Sequence, residues 1–245
     1  TLQEDGQREF TFYRQQTADT LLDVHDLDAL AWEDTTFCHA GSVLLASEPA
    51  RSATLAALAE ARRLGLTTSF DVNARPMLWA SEGALRAALA EVVGRVDLLK
   101  FSAEEAHYLD ATLSEPLDLA DTQALHALGV KLLDQGPALV VITRGPLGAL
   151  LINRQHSCAV PALSIQALDT TGAGDAFMGA ILYQLLVHAR TTAAHLALLN
   201  TEELRSLGIF ANTAAGLSST RYGGIASLPA LSEVEQLAHS QQTSW

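Results

Sequence analysis

Residues 35–72 read TTFCHAGSVLLASEPARSATLAALAEARRLGLTTSFDV, and three segments separate within them. Residues 35–40 are short, β-branched and aromatic and stop at Gly41-Ser42, which predicts a strand. Glu48-Pro49-Ala50 opens a helix with an apolar stripe at Ala53, Ala56, Ala57, Leu58, Ala61 and Leu64, and Gly65 ends it as a C-cap glycine would. Residues 66–72 read as a second strand. Strand, helix and strand at this spacing predict a βαβ unit, hence a parallel pair with a right-handed crossover. In open sheets built this way, ligands bind beyond the carboxyl ends of the strands.

The same alternation continues downstream. A helix is expected over 83–93, a strand over 96–101 (VDLLKF), and a helix over 124–133 that Gln135-Gly136-Pro137 breaks. Residues 138–143 (ALVVIT) form a continuous apolar run, as the middle strand of a parallel sheet requires. They lead into Thr143-Arg144-Gly145 and Gly148-Ala149, where the two glycines suit a hairpin into residues 150–153. Residues 159–167 read as extended. Residues 175–189 are apolar nearly all round, which predicts a largely buried helix. Residues 209–220 (IFANTAAGLSST) are rich in small side chains, which suit close packing against a flat ligand or against another helix.

Three loops fall where a ligand site would form. Asp71-Val72-Asn73-Ala74-Arg75-Pro76 ends the second strand, and Pro76 keeps Arg75 out of helical geometry. The plain alternative is a loop in which Asp71 and Arg75 pair with each other. Ser102 and Glu105 follow the third strand, and their spacing is that of a helix capping box. Asp169-Thr170-Thr171-Gly172-Ala173-Gly174-Asp175 precedes the apolar helix. Small residues at a helix start leave backbone N–H groups open to an anion. A carboxylate beside such a cradle suits phosphoryl transfer, where it receives a hydroxyl proton. The bland alternative is a glycine turn with Asp175 capping the helix.

Asp169-Thr170-x-Gly-Ala-Gly-Asp-x-x-x-Gly-Ala resembles the C-terminal signature of the ribokinase/phosphofructokinase-B carbohydrate kinases. Residues 71–79 (DVNARPMLW) are similar to the DxNxRxxLW stretch of the bacterial fructokinase-like branch. The resemblance implies a ribokinase-like three-layer α/β/α fold with a mostly parallel central sheet, spanning residues 1–245 as one domain. It implies sugar contacts at Asn73, Arg75 and Asp175, with Asp175 as the catalytic acceptor beside Gly172, Ala173 and Gly174. ATP neighbours would be Ser102, Thr143, Gly145, Gly148 and Asn212. Glu105 would organise Mg2+, although Ser102 stands where the family usually carries Asn. Asp169, Thr171 and Ser227 match the loop region for a monovalent cation such as K+.

Residues 8–15 (REFTFYRQ) alternate in strand fashion and resemble the family's lid strand, with Arg14 turned to the sugar. Ahead of the lid strand, the family carries a first sheet strand and a Gly-rich sugar pocket, which residues 1–7 do not match. The expectation is therefore a domain without its N-terminal part.

Composition restricts the partners. The net charge is −13, from 28 acidic and 15 basic residues, which argues against nucleic acid and against anionic membranes. ATP stays compatible, because backbone dipoles and a divalent cation handle its phosphates. The two cysteines, Cys38 and Cys158, read as buried free thiols of a cytoplasmic protein. The expected function is ATP-dependent phosphorylation of a sugar hydroxyl, fructose first, with a homodimer compatible. The alternatives are a kinase for 2-keto-3-deoxygluconate or another sugar, and a non-catalytic nucleotide-binding remnant.

Overall fold

The computed structural model describes Tyr13, Arg14 and residues 16–242. Among the described residues, six strands form one sheet whose spatial order is the chain order. The elements run β1 (Phe37–Gly41), α1 (Ala50–Arg63), β2 (Thr67–Asp71), α2 (Glu82–Val93), β3 (Leu98–Ser102), α3 (Ala106–Leu109) and α4 (Thr122–Leu133). The second half is β4 (Leu139–Thr143), β5 (Ala149–Ile152), β6 (Ser157–Val160), α5 (Ala173–Val187), α6 (Ala193–Ala197), α7 (Thr201–Ser219) and α8 (Leu231–Gln242). β1 to β4 are parallel, whereas β4–β5 and β5–β6 are antiparallel. The expected βαβ unit and the expected hairpin are both present. Of the expected lid strand, residues 8–12 and 15 lie outside the described residues.

Side chains alternate across the strands and divide the core in two. One face carries Phe70, Val72, Leu99, Phe101, Val140 and Ile142 against α1, α2, α3 and α4. The other carries Leu98, Leu139, Val141, Leu151 and Val160 against α5, α6, α7 and α8. This is the three-layer arrangement expected for a parallel sheet that must be covered on both sides.

Three sequence expectations change. The buried stripe of α1 is Ala50, Ala53, Thr54, Leu58 and Ala61, while Leu64 is 41% exposed because it follows the last helical residue and leaves the stripe. The extended run near 159–167 forms a strand only to Val160, and Pro161 then has no N–H for the ladder. α5 is not covered all round. Asp175 and Gly179, one turn apart, are exposed, as are Leu186 and Val187 near its end. The small residues of α7 act in close packing: a Cβ on Gly208 would come within 2.7 Å of Val160 and 2.9 Å of Leu151.

Candidate active site

The ends of β2, β3 and β4 and the start of α5 converge on one cleft of about 510 Å³. Its wall includes Asn73 and Arg75 after β2, Lys100 and Ser102 of β3, Glu105, Thr143 of β4, and Gly174. The structure thus brings together residues from four of the segments named from sequence. The backbone is specialised here. Asn73 takes a positive φ of 35°, a conformation that asparagine tolerates better than most residues. Arg75 donates to the Ala74 carbonyl at 2.8 Å.

Glu105 is held at both oxygens. Oε1 accepts the Ala74 N–H at 2.5 Å and Oε2 accepts the Ser102 N–H at 2.8 Å. The capping box between Ser102 and Glu105 is formed, and the same carboxylate ties it to the β2 loop. Burial raises the Glu105 pKa above the usual carboxylate value, reinforced by the nearby charge of Asp71. The two backbone hydrogen bonds and Lys100 oppose that shift.

The cradle is built by two glycines that act differently. Gly172 is the N-cap of α5 with φ +76°, a left-handed conformation that disfavours any Cβ. Gly174 keeps an ordinary φ, and there the requirement is room: a Cβ would stand 3.3 Å from Lys100 Nζ. The Ala173 N–H already donates to the Thr170 carbonyl at 3.2 Å, so it is less available than the sequence suggested. The first-turn N–H groups of Gly174 and Asp175 have no intrahelical acceptor and supply the open donors. Asp175 is exposed in the first turn of α5, where its charge suits the helix dipole.

The remaining expected residues lie around this centre. Arg14 pairs with Asp19 at 2.6 Å and donates to the Val43 carbonyl at 3.3 Å, which sets it past the carboxyl end of β1. Gly145 has φ +52° in the turn between β4 and β5. Gly148 has φ +88°, and a Cβ there would strike the Val160 carbonyl oxygen at 2.0 Å, so its glycine is required by the hairpin itself. Asn212 is buried in α7 and donates to the carbonyls of Val160 and Pro161 at 3.2 and 2.9 Å. Asp169 accepts the N–H of Thr171 and of Gly223, both at 2.9 Å, joining the loop before α5 to the one after α7. In that second loop Ser227 is buried and donates to the Gly224 carbonyl at 2.8 Å.

Sequence reasoning passed over a polar row on the sheet beneath α5. His39 Nδ1 and Ser69 Oγ are 2.9 Å apart on β1 and β2. Beyond them Asp71 and Lys100, register partners on β2 and β3, form a buried ion pair of 2.6 Å. Asp71 therefore pairs with Lys100. The available signal was a lysine inside the otherwise apolar run of residues 98–101.

Residues 1–231 match the pfkB family carbohydrate kinase profile. The chain is 34% identical over 237 residues to fructokinase-2 of Oryza sativa subsp. japonica, covering 97% of this chain and 66% of that relative, just under two thirds of its length. A fructokinase from Xylella fastidiosa with bound ATP superposes with a TM-score of 0.79 at 31% identity, over 97% of this chain and 72% of that one. A Vibrio cholerae O395 fructokinase with fructose, ADP and calcium bound gives a TM-score of 0.75 at 30% identity, over 93% and 68%. With this profile match, these relatives and the convergence of its strand ends on the cradle of α5, the chain belongs to the pfkB family of carbohydrate kinases.

Proposed function

We propose that the protein transfers the terminal phosphoryl group of ATP to a sugar hydroxyl, with fructose the leading acceptor. The observation that carries this reading is the pairing of an exposed Asp175 with open first-turn N–H groups, at the mouth of a cleft lined by Asn73, Arg75, Glu105 and Thr143. The likeness to plant and bacterial fructokinases supports fructose as the acceptor.

Phosphoryl transfer demands positioning and charge stabilisation more than covalent chemistry from the protein. Gly172 and Gly174 let the backbone approach the transferring group, and their region of α5 offers N–H donors to its oxygens. Each such donor contributes about 2.7–4 kcal/mol where charge develops. Asp175 orients the acceptor hydroxyl. A carboxylate is too weak a base for an unreacted alcohol, so it takes the proton late, once bonding to phosphorus has made that proton acidic. Asn73, Arg75 and Arg14 hold the sugar. Thr143 and Gly145 border the nucleotide, with Gly148 shaping their turn and Asn212 holding the α7 side. Asp169, Thr171 and Ser227 flank a monovalent-cation position between the two loops they join.

Mg2+ characteristically keeps several waters and binds through substrate phosphates and one or two carboxylates. The cleft wall carries Glu104 and Glu105, which fits that donor set. Bound there, the ion would neutralise phosphate charge, and Glu105 would hold it while keeping its backbone anchors.

The test is ADP release with ATP and Mg2+ in the presence of fructose, 2-keto-3-deoxygluconate or ribose. The reading expects turnover with fructose above the other two. Silence on all three sugars would remove the kinase assignment, and nucleotide binding without turnover would leave a binding protein in its place.

A further inference from the structure

Lys100 has no structural need that its surroundings explain. It lies in β3, 5% exposed, on a strand whose neighbours Leu98, Leu99 and Phe101 are wholly buried. An ammonium group has three donors, and among the described residues Lys100 uses one, to Asp71 Oδ2 at 2.6 Å. Asp71 is itself unfinished: its Oδ1 is buried with no hydrogen-bond partner among the described residues. A buried ion pair rarely stabilises a fold more than apolar residues would, so its presence calls for another reason. Its location supplies one. Nζ stands 3.3 Å from the Cβ position of Gly174, beside the positive end of the α5 dipole, where a cation is disfavoured unless an anion joins it. Lys100 also lines the cleft together with Gly174.

We propose that Lys100 is the cationic contact for the terminal phosphoryl group, and that Asp71 is the positioning residue that holds its ammonium beneath the cradle. This rests on the kinase reading above. The phosphoryl oxygens would take the two donors left unused by Asp71, and the lysine would add a full positive charge to the N–H groups of α5. Gly174 is then small for a reason beyond phosphate approach, because a side chain there would crowd the ammonium.

The experiment measures equilibrium binding of ADP and of the non-hydrolysable analogue adenosine 5′-(β,γ-imido)triphosphate, with Mg2+ and without sugar. The ratio of their affinities reports the terminal phosphoryl contact alone. In the charge-neutral double variant Asp71→Asn/Lys100→Met, the triphosphate analogue should lose about 10- to 100-fold in affinity relative to ADP, the size of one charge-assisted hydrogen bond. In Asp71→Asn alone, which keeps the lysine and removes its counter-charge, the ratio should move the opposite way. A purely structural pair would leave the ratio constant in both. If the double variant does not fold, Asp71→Asn still decides, since an unchanged ratio overturns the proposal. Failure of the wild type to bind either nucleotide overturns the kinase reading and this proposal with it. Normal wild-type binding with unchanged ratios overturns this one only.

Discussion

The two faces of the central sheet are built from the same strands yet follow different rules. Under α1, α2 and α4 the face is mainly apolar from β2 to β5, with Phe70, Leu99, Phe101, Val140, Ile142, Leu150 and Ile152 in one cluster, and its buried Thr68 bonds to Asp97 at the far end from the cleft. Under α5 it is apolar on β4 to β6 and at Leu98 of β3, but His39, Ser69, Asp71 and Lys100 set a polar row across β1 to β3. A parallel sheet covered on both faces has no folding reason to carry that row. The first face therefore holds the molecule together, and the second gives up some cohesion beneath the cradle. Since successive residues of a strand alternate between faces, Lys100 and Phe101 serve different purposes one residue apart.

This contrast can be broken by exchanging the two readouts. The largest effect is expected at the polar side. Asp175→Asn should lower fructose-dependent ADP release about 10²- to 10⁴-fold, the range for a positioned proton acceptor. Its thermal midpoint should stay near wild type, because the side chain is exposed. A near-wild-type rate would end its assignment as proton acceptor. On the apolar side, Phe101→Ala removes a wholly buried ring and should cost about 3–5 kcal/mol of stability, read by chemical denaturation. Nucleotide affinity in the fraction that folds should be unchanged. A loss of affinity without a loss of stability would show that the two faces are not separate.

The smallest effect lies at Glu105, which touches both functions. Burial raises its folded-state pKa above the ordinary carboxylate value, so the folded protein binds this proton more tightly than the unfolded chain does. The penalty for ionising it is absent below about 4.5, the unfolded value, and grows as pH rises towards the raised folded value. Glu105→Gln removes that titration, although its amide cannot accept from both Ala74 and Ser102. The stability difference, wild type minus variant, should therefore shrink as pH increases through that window, as followed by denaturation midpoints. A difference that grows with pH would mean that the two backbone hydrogen bonds outweigh burial.

Much of the frame is legible in the sequence. The alternation of residues 35–72 predicted the parallel βαβ unit, and the apolar run at 138–143 predicted an interior strand. Asn73, Arg75, Ser102, Glu105, Thr143 and Gly145 were expected at the ends of successive strands; all of them except Gly145 line one cleft, where Gly174 of the cradle joins them. What was not legible depended on contacts between distant segments. From sequence, a pair with Arg75 in its own loop was the plain alternative for Asp71, and only the β2–β3 register gives it Lys100. The family resemblance implied Asn212 as an ATP neighbour, and only the approach of α7 to β6 commits its amide to the carbonyls of Val160 and Pro161.

By itself the sequence determined the α/β layering, the order of strands and helices, and the cradle before α5, because hydrophobic period, glycine placement and capping chemistry act over a few residues. Tertiary structure alone decided which face of the sheet each strand residue serves, which helix edge stays open at Asp175 and Gly179, and that an ion pair lies under Gly174. Those outcomes follow from register, which joins Asp71 to Lys100, and from the packing of α5 on β3, which brings Gly174 over a lysine more than seventy positions earlier.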